Sequence, residues 1–420
     1  MASFLKSNRI FLIALLSFFL LAEVAILYYF LILAPKRPPV RPKYLMKVQE
    51  DRIPQFTFSD EDFEELEKAF YRQEKFLSQK IAYDRKLPFG EKRLPASLIK
   101  ESACLLLQTL REAKTNKELN RLIRERFTIY QAAGERGEGK VLFTGYYSPV
   151  YEGSLKKQGP FKYPLYLKPE DLKVANLGKF NPALEGERIV YRIDPSREEI
   201  VPYWSREDIV QSKVLEGQNL EFVYLKSRMD RFYLMIEGSG KIILEDGGSF
   251  WVRYSATNGR PYTSVGMLLV KDGKIPKDKL SLNSIREYFQ RYPEEMERYL
   301  NRNERFTFFF KDEEKEGAIG AAGCELTPGR SIAIDKTIFP LGAPAYIEYQ
   351  EPQINRKGEF MGIKKITRFV FCQDAGGVIK GPGRVDIYFG VGKKAQVKAE
   401  RIKDKGKLYF LIKKLSLIHI

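Results

Sequence analysis

Two aspartates, Asp374 and Asp386, stand around a glycine-rich stretch near the C-terminus (residues 373–390, QDAGGVIKGPGRVDIYFG). A carboxyl group held on a rigid element can give a proton to a leaving oxygen and take one back, the chemistry of general acid and base catalysis. Asp386 lies in an alternating run, where the two-residue strand period sends Val385, Ile387 and Phe389 to one face and Asp386 with Tyr388 to the other. An acid beside an aromatic on the open face of a strand is an arrangement suited to a proton donor. The glycines do not make a phosphate loop, because Pro382 stands where that motif needs lysine and no serine or threonine follows. They fit tight turns or the close approach of an extended ligand, with an ordinary loop as the alternative.

Other chemistries are poorly served. The chain has a single histidine, His419, next to its last residue, so serine or cysteine nucleophiles activated by imidazole, and zinc sites built on histidine pairs, lack their essential group. Cys104, Cys324 and Cys372 are too far apart in sequence for a CxxC motif and read as buried small apolar residues. A Cys324 to Cys372 disulfide is the alternative in an extracytoplasmic setting. No metal and no organic cofactor is expected.

Elements must hold these carboxylates. With 30% charged and 44% apolar residues the chain reads as globular apart from its start. Residues 10–34 form an apolar run broken only by Ser17 and Glu23, long enough for a transmembrane anchor and too long for a signal-peptide core. A proline-rich basic linker follows, with the domain body beyond it. Lysines and arginines flank both ends of the apolar run, so charge does not set its orientation. The net charge of +17 is dispersed among many glutamates, and no nucleic-acid motif accompanies it, so no nucleic-acid partner is expected.

Residues 56–133 carry helical spacing, seen in Phe63, Leu66 and Phe70. From about residue 140 to 254 short segments rich in Tyr, Phe, Val and Ile alternate with turns, giving a β-rich unit. A helix is expected over residues 281–300, with β character returning afterwards. This alternation suggests one domain interrupted by another.

Further motifs carry weaker signals. Residues 143–151 (FTGYYSPVY) place three tyrosines around Gly145 and Pro149, and tyrosine offers sugars both an apolar face and a hydroxyl. Residues 258–266 (NGRPYTSVG) form a second polar turn cluster. Asp335 closes residues 329–335 ahead of another glycine turn, and makes a third aspartate beside a β segment.

Together FTGYYSPV, EGSG (residues 237–240), NGRPYTSVG, GRSIAIDKTIFPLG (residues 329–342) and QDAGGVIKGPGRVDIYFG resemble, in order, the membrane-bound lytic murein transglycosylase A family, whose C-terminal part is the 3D domain. The resemblance spans roughly residues 140–395. It implies a mainly β fold with helices, a double-psi β-barrel domain with an inserted second small β domain, preceded here by an N-terminal transmembrane helix. The expected division is an anchor over 1–34, a linker over 35–47, the N-terminal part of the barrel domain over 48–145, the insert over 146–255, the C-terminal part over 256–400 and a tail over 401–420.

The resemblance further implies cleavage of the β-1,4 bond between N-acetylmuramic acid and N-acetylglucosamine in peptidoglycan without water, leaving a 1,6-anhydromuramoyl end. Asp386 matches the family's catalytic aspartate and would serve as acid and then base, with Asp374 supporting it. Thr144, Tyr146, Ser239, Glu237, Lys380 and Tyr388 are the candidate glycan contacts, and Asp335 is structural. The implied partners are glycan strands and the membrane, through the N-terminal helix, with the body facing the periplasm or cell envelope. Two departures stand out: Glu237 replaces the family's usual glutamine, and an apolar span replaces the usual lipidated cysteine.

Lys380 and Arg384 would hold Asp386 ionised if they pointed at it. The expectation is that both face away, or bind anionic parts of murein, and that Tyr388 and apolar neighbours desolvate Asp386. An Arg384–Asp386 ion pair would overturn that account of the acid. Alternatives are a hydrolase using Asp386 with Asp374 or Glu237 on the same barrel, and a non-catalytic glycan-binding envelope protein.

Overall fold

Hydrophobic alternation along the β segments builds two sheets. The structure, a computed structural model, describes residues 43–58, 63–314 and 317–415. In chain order a short strand β1 (Leu45–Lys47) precedes helix α1 (Phe63–Ala82), the hairpin β2 (Lys86–Phe89) and β3 (Lys92–Pro95), helices α2 (Ala96–Glu112) and α3 (Asn116–Arg126), and strands β4 (Phe127–Ala132) and β5 (Val141–Ser148). The middle of the chain supplies β6 (Val150–Ser154), β7 (Tyr163–Tyr166), β8 (Lys173–Asn176), β9 (Arg188–Asp194), β10 (Glu199–Pro202), α4 (Arg206–Val210), β11 (Glu221–Leu225) and α5 (Arg228–Glu237). After these come β12 (Ser239–Leu244), β13 (Ser249–Thr257), α6 (Val265–Lys271), α7 (Leu282–Arg291), α8 (Pro293–Asn301) and β14 (Thr307–Asp312). The C-terminal part holds β15 (Ser331–Ala333), β16 (Pro344–Ile354), β17 (Phe360–Asp374), β18 (Arg384–Val391), α9 (Lys393–Arg401) and β19 (Asp404–Lys413).

Strands β19, β16, β17, β15, β18 and β5 pair in that order, and β5 pairs back onto β19, so six strands close a barrel and leave no free edge within it. Strands β4 and β1 extend the sheet from β19. Val370, Cys372, Val385, Ile387, Phe143 and Phe410 fill the barrel interior. Each fully buried apolar side chain of this kind contributes about 1.5–3 kcal/mol. The alternate residues Phe369 and Phe371 point outward and are covered by Leu66, Phe70, Leu106 and Ile123 of α1, α2 and α3. Helices thus seal one side of the barrel wall, and the side formed by β18 and β5 is left for the second sheet.

That second sheet has the order β14, β13, β12, β6, β11, β7 and packs on a core including Leu165, Tyr203, Val223, Leu234, Ile242 and Phe308. Helices α5 to α8 gather a satellite core around Phe232, Leu269, Phe289 and Tyr299. A small sheet of β10, β9 and β8 stands beside it. Trp251 of β13, 2% exposed, packs against Tyr388 of the barrel with Ala318 and Leu326, and so joins the two sheets behind the carboxylates.

The structure corrects several expectations. The fold is mainly β with a closed six-stranded barrel, and the expected transmembrane helix is not found among the described residues, where no helix is long and apolar enough to cross a membrane. Residues 10–34 and linker residues 35–42 lie outside the described residues, while Leu45–Lys47 of the expected linker form β1 and pair with β4. The helical reading of 56–133 misses the β2–β3 hairpin and β4, where Phe127 and Ile129 alternate into the helix-covered core. The helix expected over 281–300 breaks at Tyr292 because Pro293 disfavours helical geometry in the residue before it, and α8 starts afresh on that proline. Cys372 is a free thiol inside the barrel, so a bridge to Cys324 is not formed.

Candidate active site

Strand β15 lies between β17 and β18, and one of its residues, Ala333, pairs with Asp374 on one side and Asp386 on the other. Two interstrand steps separate the aspartates, about 10 Å between their Cα atoms. Strand β5 runs parallel to β18 with Thr144 opposite Asp386 and Tyr146 opposite Tyr388. The same period that buries Val385 and Ile387 turns Arg384, Asp386 and Tyr388 to the outer face of the barrel. Gly145 lets the strands close, since a Cβ there would lie 2.4 Å from the Phe389 ring.

Asp374 is fixed by the protein. The Tyr146 hydroxyl donates to its Oδ2 at 2.7 Å, and the backbone N–H groups of Ala321 and Ala375 donate to its Oδ1, each at 2.8 Å. Burial pushes this carboxyl above its ordinary range; the three donors pull it back in part, and the charge of Asp386 adds to the rise. Burial, together with the Asp374 charge, also drives the Tyr146 phenol well above its usual value, so it remains a donor.

Asp386 is held differently. Arg384 Nε lies 3.1 Å from Oδ1 and Nη2 3.3 Å from Oδ2, a two-pronged ion pair, and the Thr144 hydroxyl donates to Oδ1. The carboxylate side chain is 14% exposed and the guanidinium 34%. This overturns the expectation that Arg384 faces away and that Asp386 rests as a desolvated, proton-loaded acid: charge-assisted donors on both oxygens suit a carboxylate. The signal was present in the sequence, because residues two apart on a strand share a face.

The remaining candidates fall into three groups. Tyr388 is 1% exposed beneath Trp251, its hydroxyl 3.0 Å from Ser148 Oγ, so it packs the site from behind and offers no open ring to a glycan. Lys380 lies in the loop after Asp374, and its charge falls on Asp335. That aspartate is 5% exposed and accepts from Thr337 and from the Gly381 N–H at 2.8 Å; burial pushes its carboxyl up, but these donors and Lys380 outweigh burial and hold it below the ordinary range. Asp335 therefore ties the glycine loop to the β15 end.

Glu237 and Ser239 lie on the insert. Helix α5 ends at Gly238, which adopts a left-handed φ of 79°, and the chain turns straight into β12. Both residues line a cavity of about 1400 Å³ between the insert and the barrel loop at Gly377 and Val378. Asp374 and Asp386 are not on its wall; the loop that follows Asp374 is. Glu237 also lines a second cavity, of about 850 Å³, with Tyr147, Tyr151, Tyr233 and Lys393 of α9. Burial between these walls pushes its carboxyl up to about 7, against the pull of the Tyr151 hydroxyl that donates to it at 3.2 Å and with a push from Asp230. Among the described residues no cluster of His, Cys, Asp and Glu is placed to hold a metal ion.

Residues 142–310 match the family model described as the MltA specific insert domain, and residues 330–412 match the 3D domain. Membrane-bound lytic murein transglycosylase A of Vibrio cholerae is 30% identical over 282 residues, 67% of this chain and 68% of that one. The chain belongs to the membrane-bound lytic murein transglycosylase A family. The family protein of Escherichia coli K12 is likewise 30% identical over 284 residues, 67% of this chain and 68% of its own length. Among solved structures, MltA from Neisseria gonorrhoeae superposes with a TM-score of 0.67 at 22% identity, covering 90% of this chain and 96% of that chain. Escherichia coli MltA with bound chitohexaose gives 0.63 at 22% identity, covering 90% of this chain and all of that one. These likenesses establish the shared fold.

Proposed function

We propose that the chain is a peptidoglycan-cleaving lyase, a lytic murein transglycosylase, that breaks the β-1,4 bond between N-acetylmuramic acid and N-acetylglucosamine and leaves a 1,6-anhydromuramoyl end. Family membership supports the activity, and the bonding of the two aspartates supports the assignment of roles. Asp374 has both oxygens occupied by fixed protein donors. Asp386 has a partner side chain, Arg384, that is one third exposed and can leave, so it is the carboxyl able to gain and lose a proton.

In the first step Asp386, protonated once Arg384 has withdrawn, gives its proton to the glycosidic oxygen as the C1–O bond breaks. The C6 hydroxyl oxygen of the same muramoyl residue then bonds to C1, and its proton passes to Asp386. No water enters, and the nucleophile arrives already positioned on the substrate. Thr144 donates to Asp386 and Tyr146 to Asp374, so the two side chains orient the pair. The Glu237 and Ser239 cavity, between two sheets, is the place for an extended glycan. The relatives are named membrane-bound, and we place the body in the cell envelope on the periplasmic side. We take the insert to run from Val150 to Asp312, because β14 pairs with β13 in the second sheet.

Mass spectrometry of murein digested by wild type and by Asp386→Asn tests this. Wild type should release fragments one water lighter than reducing-end products, and the variant should release almost none. Reducing ends from the wild type would favour the hydrolase.

A further inference from the structure

The pair between Arg384 and Asp386 raises the question of what draws the guanidinium away. Arg384 has Asp386 as its hydrogen-bonding partner through Nε and Nη2, while Nη1 has none among the described residues. Its side chain is about one third exposed, so it is open to a ligand. Leaving the pair without a new anion would strand one partly buried charge, which is costly. A ligand carboxylate can replace Asp386 in the same two-pronged geometry.

Resting on the reading above, we propose that Arg384 is a specificity-determining residue that binds a carboxylate carried on the C3 side of the muramoyl residue and thereby frees Asp386 for proton transfer. The C3 lactyl ether belongs to the sugar whose C1–O bond breaks, so its substituents lie within a few bonds of the oxygen that Asp386 must reach. In peptide-free strands this substituent ends in its own carboxylate; in peptide-bearing strands the lactyl carbonyl is an amide and the carboxylates sit on the stem. Neutral N-acetylglucosamine oligomers carry neither. Arg384 therefore couples recognition of an acidic glycan to release of the acid.

The test is calorimetric binding to the full-length protein of three uncleavable ligands: the N-acetylglucosaminyl-1,6-anhydromuramic acid disaccharide, the same disaccharide bearing a stem peptide, and neutral diacetylchitobiose. Wild type should bind at least one carboxylate ligand about tenfold or more tighter than the neutral one. Arg384→Gln should abolish that ratio and Arg384→Lys should restore part of it. Preference for the peptide-free or the peptide-bearing ligand identifies which carboxylate is read. Equal wild-type affinity for charged and neutral ligands, or a ratio unchanged in Arg384→Gln, overturns the proposal; if the Gln variant does not fold, the wild-type ratio and the Lys variant decide. These ratios do not depend on turnover. Absence of anhydro product would sink the activity reading while the binding ratios still judge Arg384.

Discussion

On the barrel wall Asp374 accepts three hydrogen bonds and Asp386 is gripped by a guanidinium and a hydroxyl, whereas on the insert Glu237 accepts from one tyrosine hydroxyl. The barrel can hold its acids this way because closed pairing sets β17 and β18 on either side of the three-residue β15, with β5 beside β18. Glu237, at a helix end between two cavities, has protein walls but few donors. Burial raises a carboxyl in both regions; three directed donors offset it at Asp374, and a single tyrosine hydroxyl does so at Glu237. In the proposed reaction Asp386 must exchange one partner, whereas the charge of Glu237 depends on solvent pH.

Four substitutions sharpen or break this contrast. The largest effect is expected for Asp386→Asn, which should lower murein cleavage by about a hundred- to ten-thousandfold in a turnover assay, while Glu237→Gln should not approach that loss. Trp251→Ala empties the contact between the sheets behind Tyr388 and should cost about 3–5 kcal/mol in denaturant unfolding. Tyr146→Phe removes a donor from a buried carboxyl and should cost about 1–3 kcal/mol, with Asp374 moved further up in a carboxyl-specific NMR titration.

The smallest effect is a pH dependence. Glu237 rises from an ordinary 4.5 to about 7 on folding, so the folded state holds its proton the more tightly. Its stabilising contribution is complete below the unfolded value and is lost as pH climbs through about 7. Glu237→Gln should remove that loss, so the variant's melting temperature should gain on wild type between about pH 4.5 and pH 7; parallel melting curves would contradict the raised carboxyl. More than a third of this residue is exposed, and solvent screening keeps the gain small.

Much of the site was legible because strand alternation is local. The placement of Val385, Ile387 and Asp386 follows from a period of two, and the same rule puts Arg384 beside Asp386, although proximity in sequence alone did not say which way it would turn. The association of Asp374 with Tyr146 was not legible, since it joins residues far apart in the chain on β17 and β5, which are brought near one another by β15 and β18 between them. The extent of the insert was hidden for a related reason: β14 returns to β13 after three intervening helices, a pairing that composition does not reveal. Tyr388 looked like an exposed aromatic because the strand pattern gives its face and not what covers it, and Trp251 covers it.

A crystal structure of the wild-type protein with the peptide-free anhydromuramoyl disaccharide bound tests the central claim most directly. Arg384 should be drawn beyond hydrogen-bond distance of Asp386 and paired with the ligand carboxylate, with Asp386 facing the sugar C1 and Asp374 still held by Tyr146. An occupied site in which Arg384 still bridges both oxygens of Asp386, or a sugar bound out of reach of Asp386, would contradict it.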